Sequence, residues 1–503
     1  HEPDLGNSSG GREMETNTAY LLTASVLAAF GYIGYQSATR DIDDDSYLSS
    51  RGTQGWLGIG LSLFASGMGV WVLMAPSEAA YFGGFWIVVG YAASSMTPFL
   101  LLAFIGPMIR DRLPNGITLA DYVRHRLGRP MQVYVGVISI LYMFTFLFAE
   151  FIAIGKVMGH ISGMDPLHPM IMVGIVTAAY TAHGGLPASL ATDRTQAGVI
   201  AVLVTMVLVV LVGGDLGQMI DDARAYNTYG VGSITYLKAW ESGLALVVAV
   251  TAAEMFSQGN WQRVYASDND ESLRKGAILA AAMVFAVVFA MGFLGTVAAG
   301  QEGIEDASIA FFYLVDESRL VVASVLIVLV VSLVCSSVDT LQNAIVASLS
   351  RDISDGRADL PVSRVATIAM IPIAIYLASG PQIRWTHGLE LVLDFDDPWS
   401  VFGIFLFADM LAAATVSPVL MTLWRGVSSR GALIGCMAGF ASVAIYGLMD
   451  PPTDAAFYMY IVHPTEGAVP ARDGGMTNLY AFLSAIIGST AATVVGSYAL
   501  PDE

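Results

Sequence analysis

The chain has 503 residues, of which 55% are hydrophobic and 13% charged, with 42 acidic side chains against 23 basic ones and a formal net charge of −19. Soluble domains carry about 25% charged residues, so most of this chain is expected to face lipid, and its acidic balance argues against nucleic acid or anionic lipid as a partner. Only two cysteines occur, Cys335 and Cys436, each inside an apolar run, which sets aside a disulfide framework.

Residues 1–16 are polar and Gly/Ser-rich and are expected to form a disordered tail that includes the sequon Asn7-Ser8-Ser9. From Asn17 onward, apolar stretches of the length that crosses a bilayer, about 20 residues, follow one another. Thirteen are predicted: 17–36, 55–76, 82–109, 132–158, 166–184, 190–213, 240–261, 276–299, 319–349, 363–380, 398–424, 431–449 and 477–500. With the N-terminus outside, 16 of the 23 Lys and Arg residues fall in inner loops, the side on which basic residues accumulate. The expected orientation is therefore N-terminus outside and C-terminus inside, in the plasma membrane.

Backbone polar groups in lipid must be satisfied internally, so an interrupted helix usually lines a cavity. The second span carries such an interruption at Phe64-Ala65-Ser66-Gly67-Met68-Gly69-Val70-Trp71, where two glycines and a serine permit unwinding and free carbonyls for a cation. Close helix packing through small residues is the alternative reading of the same stretch. The fourth span holds Glu150 and the eleventh Asp409, carboxylates at depth that count as site candidates with no assigned role. At the sixth span, Thr192-Asp193-Arg194 reads as a site carboxylate or as an interfacial Asp193–Arg194 pair. The seventh span ends in Glu254-Met-Phe-Ser257-Gln258-Gly259-Asn260-Trp261-Gln262-Arg263, with Gln258 expected in a lined pathway and Trp261 and Arg263 as interfacial anchors. The ninth span contains Ser336-Ser337-Val-Asp339-Thr340, four hard oxygen donors within five residues, a set that suits a small alkali cation. No Walker loop, GxSxG or CxxC is present, and the histidines lack ligand spacing. Neither an enzyme nor an ATP-driven pump is expected.

Read together, these features resemble the sodium:solute symporter family, which includes sodium/glucose, sodium/proline and sodium/sialic acid cotransporters. Ala65-Ser66-Gly67-Met68-Gly69-Val70-Trp71 is similar to the broken-helix motif of the proline branch, and residues 114–128 to the family's inner loop after the third span. Tyr180-Thr-Ala-His-Gly184-Gly185 followed by Thr192-Asp193 resembles the family's Gly-Gly turn and Trp-Thr-Asp signature, with Ala191 in place of the Trp. Ser336-Ser337-Val-Asp339-Thr340, running to Arg351-Asp352, resembles its cation-site helix.

The resemblance implies an all-α, leucine-transporter-type core of two inverted five-helix repeats, 55–213 and 240–424. Around it stand an extra first helix with its inner loop, 17–54, and two additional helices with a short tail, 431–503. It implies sodium held by carbonyls of Ala65, Met68 and Leu333 and hydroxyls of Ser336 and Ser337. It further implies a second cation at Asp193, Asp339 and Thr340, and solute contacts at Ser66, Gly67 and Gln258. Gly67 stands where the proline branch has an acidic residue, which sets proline in doubt, while Trp261-Gln262 resembles urea-transporting members. The expected function is sodium-coupled symport of a small organic solute (an amino acid such as proline, urea, a monocarboxylate or a sugar) by alternating access. Its partners would be solute, sodium and the bilayer, with no obligatory protein partner. A transporter-like sensor and a sodium-independent or proton-coupled carrier are the alternatives, the sensor disfavoured because no kinase-like domain is expected after the last span.

Overall fold

In a computed structural model, residues 15–37, 44–212, 216–226, 237–301, 303–304, 306–314, 320–356, 359–380, 382–385, 391–394, 401–423, 426–450, 457–462, 464 and 477–502 are described. The expected tail lies outside these residues except for its last two, and so does the Asn7 sequon. In chain order the helices begin with α1 (Thr16–Ser37), α2 (Asp44–Ser49), α3 (Trp56–Gly67), α4 (Trp71–Gly83), α5 (Phe85–Arg112), α6 (Leu119–Leu127) and α7 (Arg129–Ser162). They continue with α8 (Leu167–Val212), α9 (Leu216–Tyr226), α10 (Leu237–Glu254), α11 (Gln258–Ala266), α12 (Asp270–Ala298), α13 (Ala310–Tyr313), α14 (Leu320–Ser348) and α15 (Leu360–Ser379). After α15 a short antiparallel hairpin, β1 (Gln382–Trp385) with β2 (Leu391–Asp394), precedes α16 (Val401–Met421), α17 (Ser429–Met449), α18 (Met459–Val462) and α19 (Leu479–Ala499). The hairpin is a detail that the all-helical reading lacks.

Among the described residues, ten helices are long and apolar enough to cross a bilayer, and twelve crossings result if each of two bent pairs is one span. The two pairs are α3–α4, bent by 58°, and α10–α11, bent by 60°. They stand at the heads of the two expected repeats. α3 ends because the Met68 N–H turns back onto the Ala65 carbonyl at 3.1 Å, after which Met68 is extended.

The expected spans 166–184 and 190–213 fall on the single element α8. Its 46 residues would stretch about 70 Å, more than twice a hydrocarbon core of about 30 Å. The run is broken at Gly185, whose φ of 58° and ψ of −146° are not helical. A Cβ at Gly185 would sit 2.5 Å from the Tyr47 ring, so left-handed backbone and close approach both demand glycine there.

Small residues let several helices touch backbone to backbone. A Cβ on Gly90 of α5 would lie 2.2 Å from the Gly243 Cα of α10, and one on Gly295 of α12 would lie 2.2 Å from the Ser77 carbonyl of α4. Gly60 of α3 faces Gly276 of α12 in the same way. Such contacts are how helices associate when lipid removes the hydrophobic drive between them. They join α3 and α4 to α12 and α5 to α10, and α12 packs along α5 with Gly292 against Val88. The five helices thus form one group, against which α7, α8 and α14 pack.

The single crossing of α7 gives a direct test of orientation, since exposed His125 and Asp165 lie beyond its opposite ends. In intact cells, an impermeant thiol reagent should label Asp165→Cys, and should reach His125→Cys only after permeabilisation. Labelling in the reverse order would place the N-terminus inside. Background is low because both native cysteines are buried.

Candidate functional site

Three groups of side chains meet around the two helix breaks. The first is a buried ionic cluster where α3, α8, α11 and α14 converge. Arg263 of α11 pairs with Asp193 of α8, Nη2 to Oδ2 at 2.7 Å, with both side chains fully buried. The same nitrogen donates to Thr340 Oγ1 of α14 at 2.8 Å, Nε donates to Ser62 Oγ of α3 at 2.9 Å, and Nη1 donates to the Gly259 carbonyl at 3.0 Å. Asp193 in turn accepts from Ser62 at 2.5 Å and from Ser336 of α14 at 2.8 Å. One turn along α14, Asp339 accepts from Tyr180 at 2.6 Å, Ser189 at 2.7 Å and Thr192 at 3.1 Å, all from α8.

The residues foreseen for a second cation, Asp193, Asp339 and Thr340, are thus gathered in one place, and the positive charge among them is Arg263. Two expectations need correction here. Trp261 and Arg263 are not interfacial anchors, because both are fully buried, with Trp261 Nε1 donating to the Met255 carbonyl at 2.7 Å. Asp193 does not pair with Arg194, which instead reaches outward to Gln54.

The second group is the break between α3 and α4. The five expected sodium ligands, Ala65, Met68, Leu333, Ser336 and Ser337, are all buried. Ser336 gives its proton to Asp193, and Ser337 gives its proton to the Leu333 and Val334 carbonyls at 3.2 Å each. A hydroxyl that donates elsewhere turns its lone pairs toward any cation beside it. The break is tied down on both flanks. Ser62 is joined through Asp193 to Ser336, and the Val70 N–H donates to Glu150 Oε2 of α7 at 2.8 Å, with Ser337 beside that carboxylate. Ala65 and Met68 lie between these two ties.

The third group is a narrow chamber lined by Trp71, Tyr91, Phe146, Phe402 and Phe405, by Leu246, Val250 and Leu406, and by two carboxylates, Glu254 and Asp409. The aromatic wall is close-packed: Phe146 stacks on Phe405 with centroids 4.1 Å apart, and Trp71 meets Tyr91 at 6.1 Å and Phe405 at 6.0 Å. Only about 20 Å³ is open, room for roughly one water molecule. Glu254 ends α10 at the second break and accepts from Tyr142 at 2.9 Å and Asn260 at 2.8 Å. Asp409, from α16, is buried and near enough to Glu254 for their charges to interact. Among the described residues, neither carboxylate has an ion-pair partner.

The expected solute contacts are not part of this wall. Ser66 bonds back to the Leu63 carbonyl, and Gly67 faces the Phe99 ring. The amide of Gln258 is used at both ends, donating to the Ile117 carbonyl at 2.7 Å and accepting from the Leu119 N–H at 3.2 Å. It is a strut between α11 and the start of α6. Beyond the break it is the ring of Trp71 that faces the chamber. Asp409 and Glu150 were visible as carboxylates at depth and Glu254 as the first residue of a polar run ending the seventh span, but nothing in the sequence links positions 254 and 409, or 70 and 150.

A family model described as the sodium:solute symporter family matches residues 47–439. The chain belongs to that family. Among curated proteins, this symporter is similar to the spermidine transporter DUR31 of Candida albicans, 28% identical over 484 residues that cover 90% of this chain and 87% of that one. It is also similar to sodium/proline symporter 2 of Staphylococcus saprophyticus, 22% identical with 90% of each chain covered. Among solved structures, a substrate-bound, outward-open Na+-coupled sialic acid symporter matches with a TM-score of 0.71 over 96% of this chain and 98% of that chain. At 14% identity the likeness is one of fold. Sodium-coupled solute transport in a multi-pass, leucine-transporter-type membrane protein follows from family and fold.

Breaking a buried pair leaves an uncompensated charge, at a cost of roughly 3–5 kcal/mol. Arg263→Gln and Asp193→Asn should each lower the unfolding temperature of the detergent-purified symporter markedly, and the double variant should recover part of the loss. Single variants as stable as wild type would mean the pair does not hold these four helices together.

Proposed function

We propose that this symporter carries a small organic cation, an amine or polyamine, together with sodium by alternating access. The observation that carries this reading is the pair of carboxylates, Glu254 and Asp409, in one aromatic chamber at the helix breaks. Two like charges held together in a low-dielectric site call for a positive charge between them. Trp71, Tyr91 and Phe405 add faces that attract an ammonium group and cover its methylene chain. The spermidine transporter named above, similar along nearly the whole chain, supports an amine cargo.

In this reading sodium sits between the α3–α4 break and α14, on the carbonyls of Ala65, Met68 and Leu333 and the hydroxyls of Ser336 and Ser337. Its binding draws the two elements together, the chamber closes on the solute, and rocking of the repeats opens both sites inward. Each positive charge moved down 100 mV releases about 2.3 kcal/mol, so an organic cation is driven by the potential along with the sodium. Arg263 places a fixed positive charge among Asp193, Asp339 and Thr340, and Asp339 accepts from three hydroxyls. The proposed cycle therefore treats these three residues as a junction between helices and runs on one sodium.

Uptake of radiolabelled spermidine into proteoliposomes should require a sodium gradient. Losing a charge-assisted contact costs about 1.5–3 kcal/mol, so Glu254→Gln and Asp409→Asn should each weaken spermidine recognition by about ten- to a hundredfold. Equal uptake with and without sodium, or the same uptake in both variants, would defeat the proposal.

The sodium site is read separately through the ion. Ser336→Ala and Ser337→Ala should each raise the sodium concentration for half-maximal uptake about tenfold, the effect of one lost polar contact. Unchanged sodium dependence in both would move the site elsewhere.

A further inference from the structure

Glu150 is used by none of the steps above, yet it sits at the most conspicuous electrostatic point of the first break. α4 is a 13-residue half-helix whose N-terminus opens toward the chamber, since its first residue, Trp71, lines that chamber. The N–H groups of Val72 and Leu73 close turns onto Gly69 and Val70, which leaves those of Val70 and Trp71 as the open donors. Such a terminus carries a partial positive charge and binds anions. In broken-helix transporters it is the place that receives an anionic group of the substrate.

Here the place is filled from within. Glu150, buried in the middle of α7, puts Oε2 2.8 Å from the Val70 nitrogen, with the Trp71 N–H beside it. Its other oxygen, Oε1, is buried and has no hydrogen-bond partner among the described residues. It is aimed at the break itself: a Cβ on Gly69 would lie 1.9 Å from it, so the bare Cα of Gly69 is what admits the carboxylate. No basic side chain among the described residues pairs with Glu150.

We infer that Glu150 supplies, from the protein itself, the carboxylate that this half-helix end would otherwise take from a substrate, and that it thereby selects solutes lacking a carboxylate. The inference rests on the organic-cation reading and narrows it. An amine and the corresponding amino acid share the ammonium groups that Glu254 and Asp409 attract. The amino acid brings a further negative charge, which finds its donors already occupied and three carboxylates nearby. Glu150 discriminates by repulsion and by occupancy, the two elements of negative selection at a binding site.

The test compares solutes that differ only by a carboxylate, putrescine against ornithine and cadaverine against lysine, as competitors of radiolabelled spermidine uptake in proteoliposomes. The wild type should prefer each decarboxylated member by at least about tenfold, one charge-assisted contact. Glu150→Gln and Glu150→Ala should erase most of that preference, and Glu150→Asp should retain it. Where a variant no longer transports, binding of putrescine and ornithine to the purified protein, followed by Trp fluorescence, gives the same ratio.

A preference unchanged in the Gln and Ala variants overturns the inference and leaves the organic-cation reading standing. So does a shift in sodium dependence alone, which would make Glu150 an ion ligand. A wild type that takes ornithine as well as putrescine overturns the inference whatever the variants do. A wild type that ignores all amines but carries a neutral solute with sodium defeats the organic-cation reading, and Glu150 is then judged on glucose against glucuronate. Equal recognition of that pair in wild type refutes it.

Discussion

The geometry of the core depends on one ion pair buried in the membrane. Arg263 and Asp193 come from the second and first halves of the chain, and through Ser62, Ser336 and Thr340 they reach α3 and α14 as well. A guanidinium is suited to this junction because its planar fork offers several donors in fixed directions. Four groups besides the pair itself, Ser62, Gly259, Ser336 and Thr340, are satisfied by it, so that α3, α8, α11 and α14 meet at one point. The serine beside the expected sodium position is oriented by the same carboxylate. A lysine could hold the charge but not the four directions.

The carboxylates of this symporter divide the work at depth. Asp193 is matched by the Arg263 guanidinium and Asp339 by three hydroxyls. Glu254 and Asp409 have no ion-pair partner among the described residues, and the proposed cycle gives them a charge that comes and goes. Glu150 stands between these classes, with one oxygen anchored to a helix end and the other free. In the proposed cycle the same residue type serves as strut, ligand or filter according to what the neighbouring helices offer its two oxygens.

Much of the fold was legible in the sequence because lipid imposes a simple rule: long apolar runs must be helices, and glycines with polar residues inside them mark breaks. The Ala65–Trp71 interruption and the Ser336–Thr340 cluster could be found this way. The site was less legible, for a physical reason. Trp261 and Arg263 carry the composition of an interfacial helix end, and only the 60° bend before α11 turns that end into the core. Gln258 looked like a pathway residue for the same reason, whereas its amide bridges backbone groups at 117 and 119, more than a hundred positions away in the chain. The hairpin after α15 carries no apolar alternation strong enough to announce itself.

The glycine contacts and the polar links divide the molecule mechanically. α3 and α4 touch α12 through Gly60–Gly276 and Gly295–Ser77, and α5 touches α10 through Gly90–Gly243, backbone close to backbone, while Gly292 of α12 seats the Val88 side chain of α5. Close backbone contact leaves little room for these helices to shift against one another. α7, α8 and α14 are instead reached through polar links, Val70–Glu150 at the first break and, from α11, Arg263–Asp193 and Arg263–Thr340. In the proposed alternating-access cycle, relative motion of the two groups of helices would run along this polar seam and leave the glycine joints intact.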